Sequence, residues 1–223
     1  MLPVRVGRAV VFGATGLVGR HLIAELTAGG SAVVAGGRRP PPPPPTGPAP
    51  DFHEVDFEAW TADPTLGASM LRGADAIFVA LGTTLRTAGS REAFRRVDLD
   101  YVVAVARAAR SAEAPQLLAV SSLGASTRAG SFYLQVKGEA EEALRGLGFP
   151  SLTIARPSLL LGERDESVNR FGYLTDRHEL REQSVPMMRS IDVGGHISAC
   201  SACRDTAGLS QPSKQGNRIP GLF

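Results

Sequence analysis

A phenol and an ammonium group stand four residues apart in the sequence, at Tyr133 and Lys137. On a helix this spacing places both side chains on one face, within reach of a common ligand. An unperturbed tyrosine has a pKa of about 10 and is a poor acid or base at pH 7, but a nearby cation lowers that pKa by stabilising the phenolate. We therefore predict that Tyr133 transfers a proton in a reaction and that Lys137 tunes it.

Two adjacent hydroxyl groups precede this pair, at Ser121 and Ser122, the last residues of the run 116–122. At the end of a predicted strand they can orient a substrate carbonyl and stabilise the charge that develops on its oxygen. A tyrosine four residues before a lysine is common by chance. Its combination with strand-end serines and with a glycine-rich turn near the N-terminus favours a catalytic interpretation.

The glycine-rich turn follows the apolar run 8–12 and opens the helical pattern of residues 17–28; it reads Gly13, Ala14, Thr15, Gly16, Leu17, Val18 and Gly19. In such a turn the first glycine reverses the chain, the second lets the backbone approach a pyrophosphate, and the third lets helix and strand pack closely. The phosphate would lie at the helix N-terminus, where free N–H groups and the helix dipole favour negative charge. A tight turn without a ligand is the alternative.

The second predicted strand ends just before Arg38 and Arg39, nineteen residues after Gly19. Proteins specific for NAD usually present an Asp or Glu here to the ribose 2′-hydroxyl, and this chain has no carboxylate. A guanidinium offers a bidentate fork to a 2′-phosphate, so the sequence favours NADP(H), with Lys137 also bonding the nicotinamide ribose. Asp56, after the third strand, is a candidate acceptor for the adenine amino group. Solubilising arginines and an ordinary strand-end carboxylate are the alternatives.

Strands and helices alternate along the chain, which is the signature of a parallel sheet with helices on both faces. We predict an α/β fold with a Rossmann-type doubly wound sheet, in which residues 1–167 bind NADP and residues 168–223 form a loosely ordered, weakly patterned segment. The predicted strands are 8–12, 32–36, 52–57, 74–82, 116–122 and 151–157, and the predicted helices are 17–28, 92–110 and 132–147. The second helix is expected to bury Ala93, Val97, Tyr101, Val105 and Ala108.

Six consecutive prolines, Pro40 to Pro45, follow the arginine pair. Proline cannot donate to a sheet or continue a helix, so an extended, solvated polyproline loop is expected. We interpret it as a variable surface loop, with an SH3-type ligand as the alternative. Near the other end, Cys200 and Cys203 form one CxxC with no second pair, so we expect inert thiols and no metal site; a redox role is the alternative.

The composition is that of an ordinary globular protein, with 223 residues, 43% hydrophobic residues and a formal net charge of +2. Basic residues are scattered, and no apolar stretch approaches the length of a membrane-spanning helix. The sequence therefore predicts neither a nucleic-acid nor a membrane partner. Because the N-terminus lacks the apolar region of a secretory signal, a cytoplasmic location is expected.

Taken together, the glycine turn, the strand-end serines and the Tyr133 and Lys137 pair resemble the short-chain dehydrogenase/reductase superfamily, in the glycine spacing of its extended and atypical branches. More narrowly, residues 81–102, 131–141 and 156–167 resemble the Tat-interacting-protein type of atypical short-chain dehydrogenase. The resemblance implies NADPH along the glycine turn, with Arg38 at the 2′-phosphate. It also implies that Leu81, Gly82 and Thr83 lie beside the cofactor and that the segment after Arg156 and Pro157 lies beside the nicotinamide.

The resemblance covers residues 8–167. The family continues with a longer helical portion that helps to close the substrate side, of which only Ser184 to Pro186 is similar here. The leading hypothesis is an NADP(H)-dependent oxidoreductase that transfers hydride between the nicotinamide and a small-molecule carbonyl or alcohol. A non-catalytic NADPH-binding regulator of a protein partner is the alternative, and a homo-oligomer stays open. A sugar-nucleotide epimerase shares the motifs but needs a larger substrate domain.

Overall fold

A six-stranded parallel sheet forms the centre of the computed structural model, which describes residues 6–158, 191–192 and 196–197. The strand order is β3-β2-β1-β4-β5-β6, so the chain reverses direction across the sheet between β1 and β4. The predicted doubly wound Rossmann fold is confirmed. The strands are β1 Arg8–Phe12, β2 Ala32–Gly37, β3 Asp51–Glu54, β4 Ala76–Val79, β5 Gln116–Val120 and β6 Ser151–Ala155.

Helices cover both faces of this sheet. The α-helices are α1 Leu17–Ala28, α2 Phe57–Ala62, α3 Ala68–Leu71, α4 Leu85–Ala88, α5 Arg91–Arg95, α6 Tyr101–Ser111 and α7 Phe132–Gly146. A 3₁₀ turn, Pro64–Gly67, precedes α3, and a π-helical segment, Arg96–Asp100, joins α5 to α6.

Alternating side chains of β1 divide the core into two layers. Ala9 and Val11 face α1 and pack with Leu22 and Ile23, whereas Val10 and Phe12 face the opposite layer and pack with Trp60 and with α6. Every residue from Ala9 to Phe12 is fully buried. A strand that is enclosed on both faces appears in the sequence as a continuous apolar run. For this reason the predicted first and last residues of β1 agree with the structure.

Two predicted elements differ most from the structure, and the strand expected at 74–82 is shorter, Ala76–Val79. The strand expected at 52–57 ends at Glu54 because Asp56 begins the next helix as its N-cap, accepting hydrogen bonds from the backbone N–H groups of Glu58 and Ala59. The helix expected at 92–110 is interrupted by the π-helical segment, whose wider turn rotates the buried face. Of the residues expected on the buried face, Val105 and Ala108 are buried, whereas Ala93, Val97 and Tyr101 are only partly buried. In α5 and the π-helical segment the buried residues are instead Phe94 and Asp98.

The C-terminal segment contains a strand pair that the sequence analysis does not predict. Residues Ile191–Asp192 (β7) and His196–Ile197 (β8) pair in an antiparallel two-stranded sheet. Glycines at 194 and 195 lie between the two strands in the sequence, and paired glycines between short strands are a hairpin signal. The rest of this segment, with Cys200, Cys203 and Ser184 to Pro186, lies outside the described residues.

Candidate functional site

The carboxyl ends of the parallel strands bring the predicted site residues to one edge of the sheet. In the sheet register, Phe12 of β1 pairs with Gly36 of β2 on one side and with Val79 of β4 on the other. The glycine turn, which follows Phe12, therefore lies between the segments that follow β2 and β4. Val79 is in turn level with Ala119 of β5. In open α/β sheets this edge, at the point where the strand order reverses, is where ligands bind. The candidate residues that follow β1 to β6 are thus placed together.

The glycine turn has the geometry of a phosphate-binding turn. Gly13 has φ of 81°, a left-handed conformation that favours glycine, and a Cβ there would overlap the carbonyl oxygen of Ala80. A Cβ on Gly19 would overlap the carbonyl oxygen of Gly13, so helix α1 approaches the turn as closely as its backbone allows. The first and third glycines therefore have the steric roles that the sequence predicts.

The N-terminus of α1 offers donors to an anion. Gly16 is its N-cap, no side chain caps the helix, and its first turn carries no acidic residue. Thr15 and Gly16 are exposed. The N–H of Gly16 donates to the carbonyl oxygen of Gly13 at 3.0 Å, whereas the N–H groups of the first helical turn have no acceptor within the helix. This arrangement fits a pyrophosphate, with the glycines leaving the space that side chains would fill.

Arg38, Arg39 and Asp56 follow the two outer strands β2 and β3 on one side of the sheet. Both arginines are exposed and follow β2 directly, two and three residues beyond the level of Phe12. Asp56 follows β3 and is exposed; a single oxygen, Oδ1, accepts both N–H groups that it caps. Its role as a helix cap explains its position without a ligand, so the contact to adenine stays a prediction, as does the contact of Arg38 to a 2′-phosphate.

Lys137 forms a buried ion pair that the sequence analysis missed. Its Nζ lies 2.8 Å from Oδ1 of Asp98, and the two side chains are 7% and 1% exposed. The backbone N–H of Thr83 donates to the other carboxylate oxygen of Asp98 at 2.8 Å. A Cβ on Gly82 would lie 3.6 Å from Lys137 Nζ. The structure therefore places the loop of Leu81, Gly82 and Thr83 directly against the lysine.

One signal in the sequence points to Asp98. It lies four residues after Phe94 and four before Val102, so it interrupts an apolar stripe at helical spacing. Carboxylates are almost never fully buried unless paired, and a buried one therefore implies a cation nearby. Its location in a π-helical segment adds a second indication, because single π turns inside helices are frequent at functional sites.

Tyr133 is held by ring packing on α7. It lies one helical turn before Lys137, and its ring centroid is 5.6 Å from that of Phe94 at an interplanar angle of 49°. The side chain is half-buried. Packing fixes the ring without using the phenol oxygen, which leaves the hydroxyl for a ligand at the edge of the sheet.

The two serines have different surroundings. Ser122 is partly buried, and its hydroxyl is 3.5 Å from the carbonyl oxygen of Leu123, so it is only weakly engaged. Ser121 is buried and donates from Oγ to Oε1 of Glu141 at 2.5 Å. Of the two predicted substrate-orienting hydroxyls, Ser122 is therefore the one available to a ligand.

Glu141 is the centre of a buried hydrogen-bond network. Its side chain is 2% exposed and also accepts from the guanidinium groups of Arg145, at 2.8 Å, and Arg156. Burial raises the pKa of the Glu141 carboxyl, but the hydrogen bonds from Arg156, Ser121 and Arg145 outweigh it, and the pKa lies below its ordinary value of 4.5. The network joins α7 to the ends of β5 and β6. Sequence reasoning missed Glu141, although it lies four residues after Lys137 on the same helix.

Replacing Glu141 by glutamine should lower the free energy of unfolding by about 1–3 kcal/mol. The amide has no negative charge, so the hydrogen bonds from the three donors become weaker. The lowered pKa in the folded chain means that the carboxylate stabilises the protein above about pH 4.5 and that this contribution is lost as the pH falls. In urea unfolding, the difference in free energy of unfolding between the wild-type protein and Glu141→Gln should be largest near neutral pH and should disappear in acid.

Glu142 provides the matched control, since it is the next residue, is exposed, and contacts only the hydroxyl of Thr127, at 3.3 Å, among the described side chains. Glu142→Gln should change the free energy of unfolding by less than about 0.5 kcal/mol. Equal losses in the two variants, or a gap for Glu141→Gln that is independent of pH, would contradict the role assigned to the network.

Comparison with known proteins decides the family. The family model described as NAD(P)H-binding matches residues 13–190, which is more than half of the chain. The chain belongs to the NAD(P)H-binding family. The prediction of a nicotinamide cofactor is thereby confirmed, and an NAD(P)H-binding protein of this fold has its phosphate-binding turn where the structure places Gly13 to Gly19.

Curated relatives of this NAD(P)H-binding protein carry the name FMP52. The protein FMP52-1, mitochondrial, of Scheffersomyces stipitis is 34% identical over 160 residues, covering 71% of this chain and 70% of the relative. The protein fmp52, mitochondrial, of Emericella nidulans is 33% identical over 163 residues, covering 70% of this chain and 68% of the relative. These names overturn the expected cytoplasmic location, which was wrong because a missing secretory signal does not test delivery to mitochondria. In the described part of the chain, no helix has the length and apolar character needed to cross a bilayer.

Solved structures support the same fold. The oxidoreductase ylbE from Lactococcus lactis has a TM-score of 0.58 and 23% identity, covering 70% of this chain and 71% of that one. A putative NAD-dependent epimerase/dehydratase from Bacillus halodurans has a TM-score of 0.55 and 25% identity, with coverage of 71% and 73%. MoeE5 in complex with UDP-glucose and NAD has a TM-score of 0.54 and 22% identity, with coverage of 67% and 54%.

Proposed function

We propose that this chain is an NADP(H)-dependent oxidoreductase of the atypical short-chain dehydrogenase type, similar to the Tat-interacting-protein branch, that interconverts a carbonyl and an alcohol. The observation that carries the proposal is the position of Tyr133 one turn before Lys137, whose ion pair with Asp98 contacts the loop beside the glycine turn. We assign the activity to residues 1–167, with 168–223 as a divergent C-terminal segment. The names of the relatives support a mitochondrial location.

In the reductive direction, bound NADPH supplies the hydride. Tyr133 donates its phenolic proton to the carbonyl oxygen, and the hydroxyl of Ser122 hydrogen-bonds that oxygen and stabilises its developing charge. Lys137, one helical turn after Tyr133 on α7, would donate from its ammonium group to the ribose of the cofactor. Asp98 keeps the ammonium group in place.

The preference for NADP(H) rests on Arg38 and predicts a difference between two titrations. The purified protein should bind NADPH more tightly than NADH, because a guanidinium pairs with the 2′-phosphate. Arg38→Gln should weaken NADPH binding by about tenfold or more, as expected for a hydrogen bond to a charged group, and leave NADH binding within about twofold. Isothermal titration calorimetry with each cofactor measures both effects.

Arg107→Gln is the matched control, since Arg107 is exposed on α6 and its loss should change neither affinity. Arg39→Gln tests whether the second guanidinium shares the phosphate. Equal affinities of the wild-type protein for NADPH and NADH would remove the 2′-phosphate assignment. Loss of NADH binding in Arg38→Gln would instead indicate a general defect of the adenosine end.

A non-catalytic NADPH-binding regulator is the second candidate. It is favoured by the position of Ser121, whose hydroxyl is committed to Glu141 and leaves one serine for a substrate. Such a regulator would bind NADPH with the same dependence on Arg38 but would consume none with any carbonyl compound. A panel of aldehydes and ketones, followed by NADPH absorbance, separates the two candidates.

A further inference from the structure

The connection between β2 and β3 has an unusual form. Parallel neighbouring strands usually need a crossover of a dozen or more residues, most often a helix. Here β2 and β3 are parallel neighbours, and in the structure residues 38–50 contain no helix or strand. The proline run Pro40 to Pro45 occupies the middle of this crossover.

Backbone sterics determine the conformation of the run. Each proline fixes its own φ near −65° and restricts the residue before it to extended or polyproline II conformations. Consecutive prolines therefore favour a polyproline II helix, a triangular rod of three residues per turn with no internal hydrogen bonds. Such a segment is ordered before it meets a partner, which reduces the entropy lost on binding.

Burial along the run repeats every three residues. Pro41 and Pro44 are partly buried, whereas Pro40, Pro42, Pro43 and Pro45 are exposed. This is the period of a polyproline II helix that rests one edge on the protein and presents two edges to solvent. Beyond the run, Gly47 adopts φ of 87° and lies beside α1, where a Cβ on the glycine would be 3.3 Å from Cβ of Thr27. The fold thus holds the rod in place and leaves its other two edges free.

Positive charge lies at one end of the rod. Arg38 and Arg39 immediately precede Pro40, and both are exposed. A short proline rod preceded by cations matches grooves lined by aromatic side chains, with carboxylates beside one end, such as those of SH3 domains. We propose that the segment from Arg38 to Pro45 is a docking site for an SH3-type domain, which contacts the two solvent-facing edges.

The test uses an SH3 domain chosen because it binds a free peptide of residues 36–47. Its affinity for the folded full chain is then measured by calorimetry without nicotinamide cofactor, so that the outcome is independent of the proposed enzymatic function. The full chain should bind at least as tightly as the peptide, because its rod is already formed. If no SH3 domain binds the peptide, or the domain binds the peptide but not the folded chain, the proposal is overturned.

Two variants of identical composition separate the edges of the rod. Pro42→Ala with Pro43→Ala changes the exposed edges, whereas Pro41→Ala with Pro44→Ala changes the edge that faces the protein. The first variant should bind the domain about tenfold more weakly than the second, while urea unfolding should show similar stabilities, since each loses two prolines. Equal weakening in the two variants would contradict docking through the exposed edges.

Discussion

Tyr133→Phe is expected to reduce kcat with an active carbonyl substrate by about two to four orders of magnitude, the usual contribution of a positioned acid or base. The phenylalanine ring keeps the packing against Phe94, so the loss reflects the missing hydroxyl rather than a shifted helix. Affinity for NADPH should stay within about twofold, because the lost interaction forms only in the transition state. Steady-state NADPH consumption and a cofactor titration together measure the two effects.

Tyr101→Phe is the control for loss of a phenol elsewhere. Its hydroxyl donates to Glu58 at 2.7 Å on α2, and its ring stacks on Phe57 with centroids 5.1 Å apart. This variant should lose about 1 kcal/mol of stability and keep its turnover. Activity of Tyr133→Phe equal to that of the wild type would exclude Tyr133 as the proton donor, and NADPH consumption that depends on Tyr133 would exclude the purely regulatory function.

The inner strands β1, β2 and β4 could be predicted from the sequence because they are buried on both faces. Such strands are continuous apolar runs that end at glycine or polar residues, and β1 and α1 match their predicted limits exactly as residues 8–12 and 17–28. The errors arose where a local feature interrupts the simple periodicity of a strand or a helix. The π-helical segment Arg96–Asp100 rotates one helix face, and the helix cap formed by Asp56 shortens β3.

The sequence predicts the part of the candidate site that is encoded in short local motifs. The glycine turn and the spacing of Tyr133 and Lys137 are visible within a few residues, and their shared edge follows from a parallel sheet. The partners of the buried charges are distant in sequence, since Asp98 and Lys137 are on different helices. Only the packing of α7 on the π-helical segment brings them together. A different contact, between Glu141 of α7 and the end of β5, engages Ser121 and leaves Ser122 free.

Asp98→Ala should lower the free energy of unfolding by about 3–5 kcal/mol, because it leaves the ammonium of Lys137 buried without a counter-charge. The carboxylate also accepts the N–H of Thr83, so the loop of Leu81, Gly82 and Thr83 loses an anchor. A loss of this size is a large fraction of the free energy of unfolding of a typical domain. Urea unfolding at neutral pH measures it, with Asp100→Ala, an exposed carboxylate two residues away, as the control expected to change stability by less than about 0.5 kcal/mol.

Removing both charges separates the structural role of the pair from its role in the site. Asp98→Leu with Lys137→Met replaces the buried ion pair by apolar side chains and should recover most of the stability lost in Asp98→Ala. Turnover should not recover, because the ammonium near Tyr133 and the ribose donor are gone. If the double variant regains stability and also reduces carbonyl compounds at the wild-type rate, the ion pair serves only the fold, and the positive charge of Lys137 has no part in the chemistry of Tyr133.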